Sequence, residues 1–259
     1  MSAAAPEAAP EVLKRLVAQT VYRPVRRGSA VAETVERLGR AIGMGLLRPG
    51  DGLPPESRLA EDLGISPVTL RSALTILRGA GLLETRRGRR GGTFVSAGGS
   101  AEAVLPAEAL PSEADIRDLV DYRVVVEGGA AALAADRATA EQLEHLDRLA
   151  GEMEAAKNFD VWSERDALFH LIIADASRSQ RLVGQVAQIR AEVYRISKLG
   201  TVPHGTVSLS DREHREILRA VASGDAELAR ETMVRHVEST RALWLGLGRA
   251  AAQGGATAP

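Results

Sequence analysis

Asp166 and His170 stand four residues apart inside "RDALFHLIIADAS", a segment that is otherwise almost wholly apolar. That spacing puts both side chains on one face of a helix. A carboxylate carried into an apolar core costs several kcal/mol unless something neutralises it, so Asp166 needs a partner, and His170 is the nearest. The two could be a satisfied structural pair or half of a metal site. The other histidines bear on the choice. His214 shares a helical face with Ile217, Leu218 and Val221, and His236 shares one with Ala229, Met233, Thr240 and Leu243, so both point inward. Their helices meet at "SGD", with Gly224 as the turn and Asp225 as N-cap. At about 1.5 Å per residue the two imidazoles stand about 14 and about 17 Å from that turn, nearly level across an antiparallel hairpin. One carboxylate and three imidazoles could therefore converge. Such a set suits a divalent transition metal with at least one position left open, zinc first, then nickel or manganese. The bland alternative is three unrelated core histidines. His145, on the face of Glu141 and Arg148, reads as solvated, and His204 falls in the "VPHG" loop without periodic context.

The chain that must position these residues has 259 of them and a net charge of −1, and it has no cysteine. Disulfides, iron–sulfur clusters and thiolate zinc sites are excluded, so any metal must be held by histidine and carboxylate. No run approaches about 18 uninterrupted apolar residues, and "MSAAAPEAAPE" lacks the basic and apolar regions of a signal peptide. A soluble, cytoplasmic protein with no membrane partner is expected. The near-zero charge hides an asymmetry. The first hundred residues carry fifteen basic and nine acidic side chains, net +6, and the rest carry eighteen and twenty-five, net −7. One half suits a polyanion and the other repels it.

The pattern predicts a mainly α protein in two domains. Residues 1–28 read as a largely disordered tail with a weak helical pattern near "EVLKRLVAQ". From Ser29, an expected N-cap, a helix with Val31, Val35, Leu38 and Ile42 on one face leads to the turn "RPGDGLPP". Two short helices follow, "ESRLAEDLG" and "SPVTLRSALTILRGAG", joined by a tight turn at Gly64, with Ser66 capping the second and Pro67 in its first position. "LLETRRGRRGGTFVS" then gives a strand, a basic glycine-rich tip and a second strand. Residues 29–96 thus read as a winged helix-turn-helix. Residues 97–111 read as a linker. Beyond it six helical segments are expected, at 112–136, 139–157, 159–177, 179–199, 207–223 and 225–247, an all-α bundle followed by a disordered tail over 248–259.

A winged helix-turn-helix sends its second motif helix into the major groove of double-stranded DNA while the wing reaches phosphates or the minor groove. Ser66, Thr69 and Arg71 lie at the amino end of that helix, where hydroxyl and guanidinium groups meet base edges or phosphates. Arg86, Arg87, Arg89 and Arg90 crowd the wing, and Gly88, Gly91 and Gly92 allow a close backbone approach. Without acidic partners these arginines repel one another unless an anion is present.

Residues 29–96, "LLRPGDGLPPESRLAEDLGISPVTLRSALTILRGAGLLETRRGRRGGTFV" above all, resemble the DNA-binding domain of the GntR family of bacterial transcription regulators. Family members commonly carry arginine after the Glu that opens the first motif helix and after the Ser that caps the second. Here those positions hold Ser57 and Pro67, while Arg71 matches and Arg58 is shifted by one place. The resemblance therefore implies DNA binding but not the operator sequence of other members.

Residues 112–245 are similar to the FCD domain, the ligand-binding domain of the FadR subfamily, through "DYRVVVEGGAAALAADRAT", "RDALFHLIIADAS" and "DREHREILRAVASGDAELARETMVRHV". In that family the residues matched by Asp166, His170, His214 and His236 bind metal, and six helices are the number of its VanR-type group. The effectors are typically small carboxylates whose oxygens ligate the metal. Arg123 matches the arginine of "YRVVVE" and is the implied carboxylate clamp, its alternative being an i+4 salt bridge with Glu127; Tyr194 and Arg195 could also line the pocket. The implied function is a homodimeric regulator, a repressor by the family's common sign, released from a two-fold operator by the effector. The rival readings are a pure metal-ion sensor and a metal-dependent enzyme. The enzyme reading lacks a motif supplying a general acid or base.

Overall fold

The computed structural model describes residues 11–22, 30–88, 91–105, 111–197 and 204–254. The chain divides into two compact units, Met1–Ala107 and Glu108–Pro259.

The first unit contains α1 (Glu11–Thr20), α2 (Ala30–Gly43), α3 (Glu56–Leu63), α4 (Pro67–Gly79), β1 (Leu83–Arg86) and β2 (Gly92–Val95). Its core follows the helical periodicity: Val35, Leu38 and Ala41 from α2, Leu59 and Leu63 from α3, and Leu70, Ala73, Leu74 and Leu77 from α4 are all buried. The turn between the motif helices requires Gly64, whose φ of 64° is left-handed. Its N–H and that of Ile65 return to the carbonyls of Glu61 and Ala60, both at 3.0 Å, closing the end of α3. Ser66 caps α4 by accepting from Thr69 N–H at 3.1 Å, with Pro67 following where no amide hydrogen is needed. The strands pair antiparallel with Leu83 opposite Val95 and Arg86 opposite Gly92, and Gly52 bridges to Phe94 beside them.

Two expectations change here. In the stretch read as a largely disordered tail, the weak helical pattern near "EVLKRLVAQ" is α1, a well-formed amphipathic helix that buries Leu16 and Val17. The stretch read as a linker begins packed rather than free: Ala101 is buried in a short 3-10 turn against α2, and Val104 lies so near Gly39 that a Cβ there would meet it at 2.9 Å. Ser29, the expected cap of α2, lies outside the described residues.

The second unit is all-α among the described residues: α5 (Glu113–Arg137), α6 (Ala140–Glu154), α7 (Phe159–Ala176), α8 (Gln180–Ser197), α9 (His204–Ser223) and α10 (Ala226–Gly254). Side chains mark where they begin. Ser112 and Thr139 form reciprocal capping boxes with Asp115 and Gln142, Asn158 accepts from Val161 N–H, and Asp225 accepts from Leu228 N–H. Helix α7 is buried on every side from Asp166 to Ala176 and packs against α5, α6 and α8. The antiparallel hairpin of α9 and α10 turns at Gly224. Two boundaries differ from expectation. His204 opens α9 instead of lying in a loop, and α10 runs to Gly254 through most of the expected tail.

Candidate metal centre and nucleic-acid interface

Asp166 and His170 lie one turn apart on α7, His214 comes from α9 and His236 from α10. One potential donor atom from each of the four lies within 4.8 Å of all the others, and all four residues are buried. That span is close to a shell of donors each about 2.0–2.2 Å from one ion. Asp166 Oδ1 is 3.1 Å from His214 Nε2 and 3.6 Å from His170 Nε2. The imidazole centroids of His214 and His236 are 4.5 Å apart, and His170 lies 5.6 and 5.2 Å from them.

A structural cluster would spend these nitrogens on one another, and this one does not. Both nitrogens of His170 and both of His214 are buried without a hydrogen bond. An unpaired buried polar atom costs about 1–3 kcal/mol, and His170 Nε2 and His214 Nδ1 have no carboxylate oxygen within hydrogen-bond distance, so the bundle gains nothing from burying them unpartnered. Burial first, then the neighbouring His170 and Arg190, holds His214 well below the usual imidazole range. Burial, then His214 and His170, does the same for His236. Both rings are therefore neutral, the form whose lone pair a metal takes.

Three charged residues behind the cluster orient it, and none was singled out for this from the sequence. Arg190 on α8 donates to Asp166 Oδ2, so the partner of the buried carboxylate is an arginine and not only His170. Burial pushes the Arg190 guanidinium down to about 9, which leaves it charged at neutral pH. His236 Nδ1–H donates to Glu213 Oε2 at 2.9 Å, which turns Nε2 toward the cluster, and Ser239 donates to the same oxygen at 2.9 Å. Glu127 Oε2 lies 2.6 Å from His170 Nδ1, off the line of a hydrogen bond. Burial works to raise the Glu127 carboxyl, but Arg123, His170 and Arg190 together hold it well below the carboxylate range.

Asp166 and His236 also line a cavity, together with Arg123 and Arg190. Arg123 is 1% exposed and combines the two roles weighed for it. It donates to Glu127 Oε1 at 2.8 Å and to Thr240 at 3.1 Å, and it still faces the cavity. Tyr194 and Arg195 do not line the cavity: α8 turns Arg190, Val193 and Ser197 to it, Tyr194 is buried just beside that stripe, and Arg195 lies on the far side of the helix. His145, expected in solvent, is 8% exposed, because α6 buries the face that also carries Leu149.

The residues expected at DNA are placed quite differently. Arg71 is about two-thirds exposed and ion-paired to Glu56 at 3.1 Å. Arg58, equally exposed, pairs with Asp62 at 3.0 Å and Glu61 at 3.4 Å. The hydroxyls of Ser66 and Thr69 bond to each other at 2.8 Å. Val68, which sequence reasoning passed over, stands 70% exposed beside them. On the wing, Arg86 pairs with Glu84 at 2.8 Å and lies 4.3 Å over the Phe94 ring, so the expectation of wing arginines without an acidic partner fails for it. Arg87 is exposed without an ion pair among the described residues. Arg89 and Arg90 lie outside the described residues. Gly91 is required: a Cβ there would sit 2.5 Å from the Arg86 carbonyl oxygen.

Comparison with known proteins bears directly on this pairing of units. Residues 30–95 match the family model of bacterial regulatory proteins of the gntR family, and residues 118–239 match the FCD domain. The HTH-type transcriptional regulator RmpR of Mycobacterium gastri is 34% identical over 84% of this chain and 81% of its own length. The chain belongs to the GntR family. Similar relatives include LutR of Bacillus subtilis, 30% identical over 76% of this chain and 92% of its own. The Glc operon transcriptional activator of Escherichia coli strain K12 is 32% identical over 82% and 86%. A solved GntR-type regulator from Rhodococcus sp. RHA1 is 26% identical, covering 85% of this chain and 99% of its own with a TM-score of 0.50. This GntR protein is thus a DNA-binding transcription regulator with an FCD domain, and not an enzyme. No helix among its described residues is long and apolar enough to cross a membrane.

Proposed function

We propose that this regulator binds a divalent transition metal, zinc first, through Asp166, His170, His214 and His236, and a small carboxylate effector beside it. The observation that carries the reading is the buried four-donor cluster, in which the nitrogens of His170 and His214 have no hydrogen bond. Charge supports the effector class. Arg123 and Arg190 face three buried carboxylates, Glu127, Asp166 and Glu213, so a dication leaves one positive charge uncompensated in a buried place, which a monoanion neutralises. When bound, the metal supplies a Lewis-acidic position that a carboxylate oxygen can occupy. Arg123, through the guanidinium end not bonded to Glu127 or Thr240, and Arg190 hold the carboxylate, and Glu213 and Glu127 keep the imidazoles oriented.

In this reading a homodimer sets two recognition helices on the half-sites of a two-fold operator, with Arg71, Thr69, Ser66 and Arg58 at the duplex and Arg87, Arg89, Arg90 and Gly91 on the wing. Effector binding favours an arrangement that no longer fits the half-site spacing, which relieves repression. The test uses the full chain. Metal content and thermal shift with zinc, nickel or manganese should be present in the wild type and lost in a His214→Ala, His236→Ala double variant. A ligand at about 100 times its Kd stabilises by about 2.7 kcal/mol. A wild-type protein without metal and without a thermal shift returns the cluster to a structural role. Response of operator binding to the ion alone, with none to any carboxylate, selects the metal-sensor reading instead.

A further inference from the structure

The walls of the effector cavity are more informative than its base. The charged groups that line the cavity are tied together: Arg190 donates to Asp166, Asp166 and His236 belong to the donor cluster, and Arg123 joins that cluster through Glu127 and His170. Phe159, Trp162, Val193, Val207, Leu243 and Trp244 also face the cavity, among six hydroxyl side chains of which Ser197, Ser239 and Thr240 already donate to backbone carbonyls. Aromatic residues make up only 3% of the chain, yet both of its tryptophans are here. The polar edge of Trp162 is already taken, since Nε1–H donates to Asp211 at 2.7 Å, and its ring stacks with Phe159 at 5.7 Å. What Trp162 offers the cavity is its hydrocarbon face. Trp244 is similarly built in, with the Arg123 guanidinium 5.0 Å from its ring centroid. One further observation points to a ligand at the charged end: Arg190 is 2% exposed, lines the cavity and carries a buried Nε–H with no partner.

We infer that the effector is a carboxylate bearing an apolar group about the size of a phenyl ring, its anionic end at Arg190 and Arg123 and its hydrocarbon between Trp162 and Trp244. The inference rests on the carboxylate reading above and narrows it. A two- or three-carbon hydroxy acid satisfies the charged end and leaves the aromatic walls facing water, where they gain nothing from its binding. An aryl acid covers both, and its ring finds the offset or edge-on aromatic partners it prefers.

The two tryptophans report binding without a label, and calorimetry reads the same titrations independently. The zinc-loaded full chain is titrated with phenylacetate, phenylacetamide, acetate and lactate. Phenylacetate is expected to bind at least about ten-fold more tightly than acetate or lactate, and phenylacetamide to lose most of that affinity. Leu243→Asn and Val207→Asn change half-buried wall positions outside the buried core. They should weaken phenylacetate several-fold and leave acetate unchanged. Lactate or acetate binding as tightly as phenylacetate overturns this inference while the carboxylate reading stands. Equal affinity for phenylacetate and phenylacetamide overturns the carboxylate reading itself, as does the absence of binding by any of the acids to protein that holds zinc. Wall variants that weaken acetate and phenylacetate equally, or neither, also overturn the placement of the apolar group.

Discussion

In the DNA-binding unit the arginines expected at DNA stand in water and lean on exposed or half-exposed carboxylates, as Arg71 does on Glu56 and Arg58 on Asp62 and Glu61. In the FCD unit Arg123 and Arg190 are 1% and 2% exposed and are locked against Glu127 and Asp166. Exposed pairs contribute about 0–1 kcal/mol and can exchange a carboxylate for a phosphate at little cost. Buried pairs are fixed by desolvation, and removing one member strands the other. The first arrangement suits a surface that must release and rebind a polyanion. The second suits a cavity that must hold a defined geometry for a small ligand.

The comparison is broken most directly at Arg190. Arg190→Leu should cost about 3–5 kcal/mol in urea unfolding, because Asp166 is left buried without its guanidinium. Adding Asp166→Asn in the same chain should recover a large part of that loss. A single variant as stable as the wild type would mean that the pair is not desolvated as described.

The next largest effect is that of pH on the metal-free protein. His214 and His236 are held neutral in the fold by burial first, then by His170 and Arg190 for His214 and by His214 and His170 for His236, whereas in the unfolded chain they protonate at about 6.5. Below that value the unfolded state takes up protons that the folded state refuses. Stability should therefore fall on acidification by about 1 kcal/mol per histidine at one unit below it, and be fully present above it. Unfolding midpoints with chelator at pH 5.5 and 7.5 measure this. The double variant His214→Ala, His236→Ala should flatten the dependence. The DNA-binding unit, with no histidine between Met1 and Ala107, should contribute nothing to it.

At the recognition helix the effect is smaller and lies in binding. Arg71→Ala should cost about 1–3 kcal/mol at one operator position if the guanidinium reads a base. A uniform loss across sequences would assign it to the phosphates. Val68, exposed beside Pro67, suits a thymine methyl group, so replacing operator thymines one at a time by deoxyuridine should weaken wild-type binding at one step and leave Val68→Ser indifferent there. On the wing, removing Arg87, Arg89 and Arg90 together should flatten the salt dependence, by a log–log slope of about 0.9 for each phosphate that is no longer neutralised. The smallest effect is expected from Glu56→Gln. It breaks an exposed pair, so stability should change by no more than about 1 kcal/mol, while DNA binding tightens slightly because Arg71 no longer has a competing carboxylate.

Much of this architecture was legible along the chain. Caps and turns are local chemistry, so Ser66, Gly64, Pro67, Asp225 and Gly224 marked helix ends where the structure has them. The six helices of the second unit were readable to within a few residues at most ends, because apolar periodicity names the buried face of each helix. The same periodicity, applied to two helices joined by a short turn, was enough to level His214 with His236 and to raise the convergence with Asp166 and His170. Where the signal was weak it misled: α1 is a short helix in a polar context, and the His145 face looked solvated because Glu141 and Arg148 flank it.

What the sequence determined by itself was the order of elements, the division of charge and which side chains face inward. All of these depend on neighbours within a turn or two. Which inward-facing groups meet across helices was settled by the packed bundle: Arg190 on Asp166 from 24 residues away, Glu213 on His236 from 23, and both tryptophans on one cavity. Those meetings depend on how each helix is rotated and how far it is shifted against the next. The packing of the whole bundle sets both quantities at once, and the periodicity of one helix leaves them free.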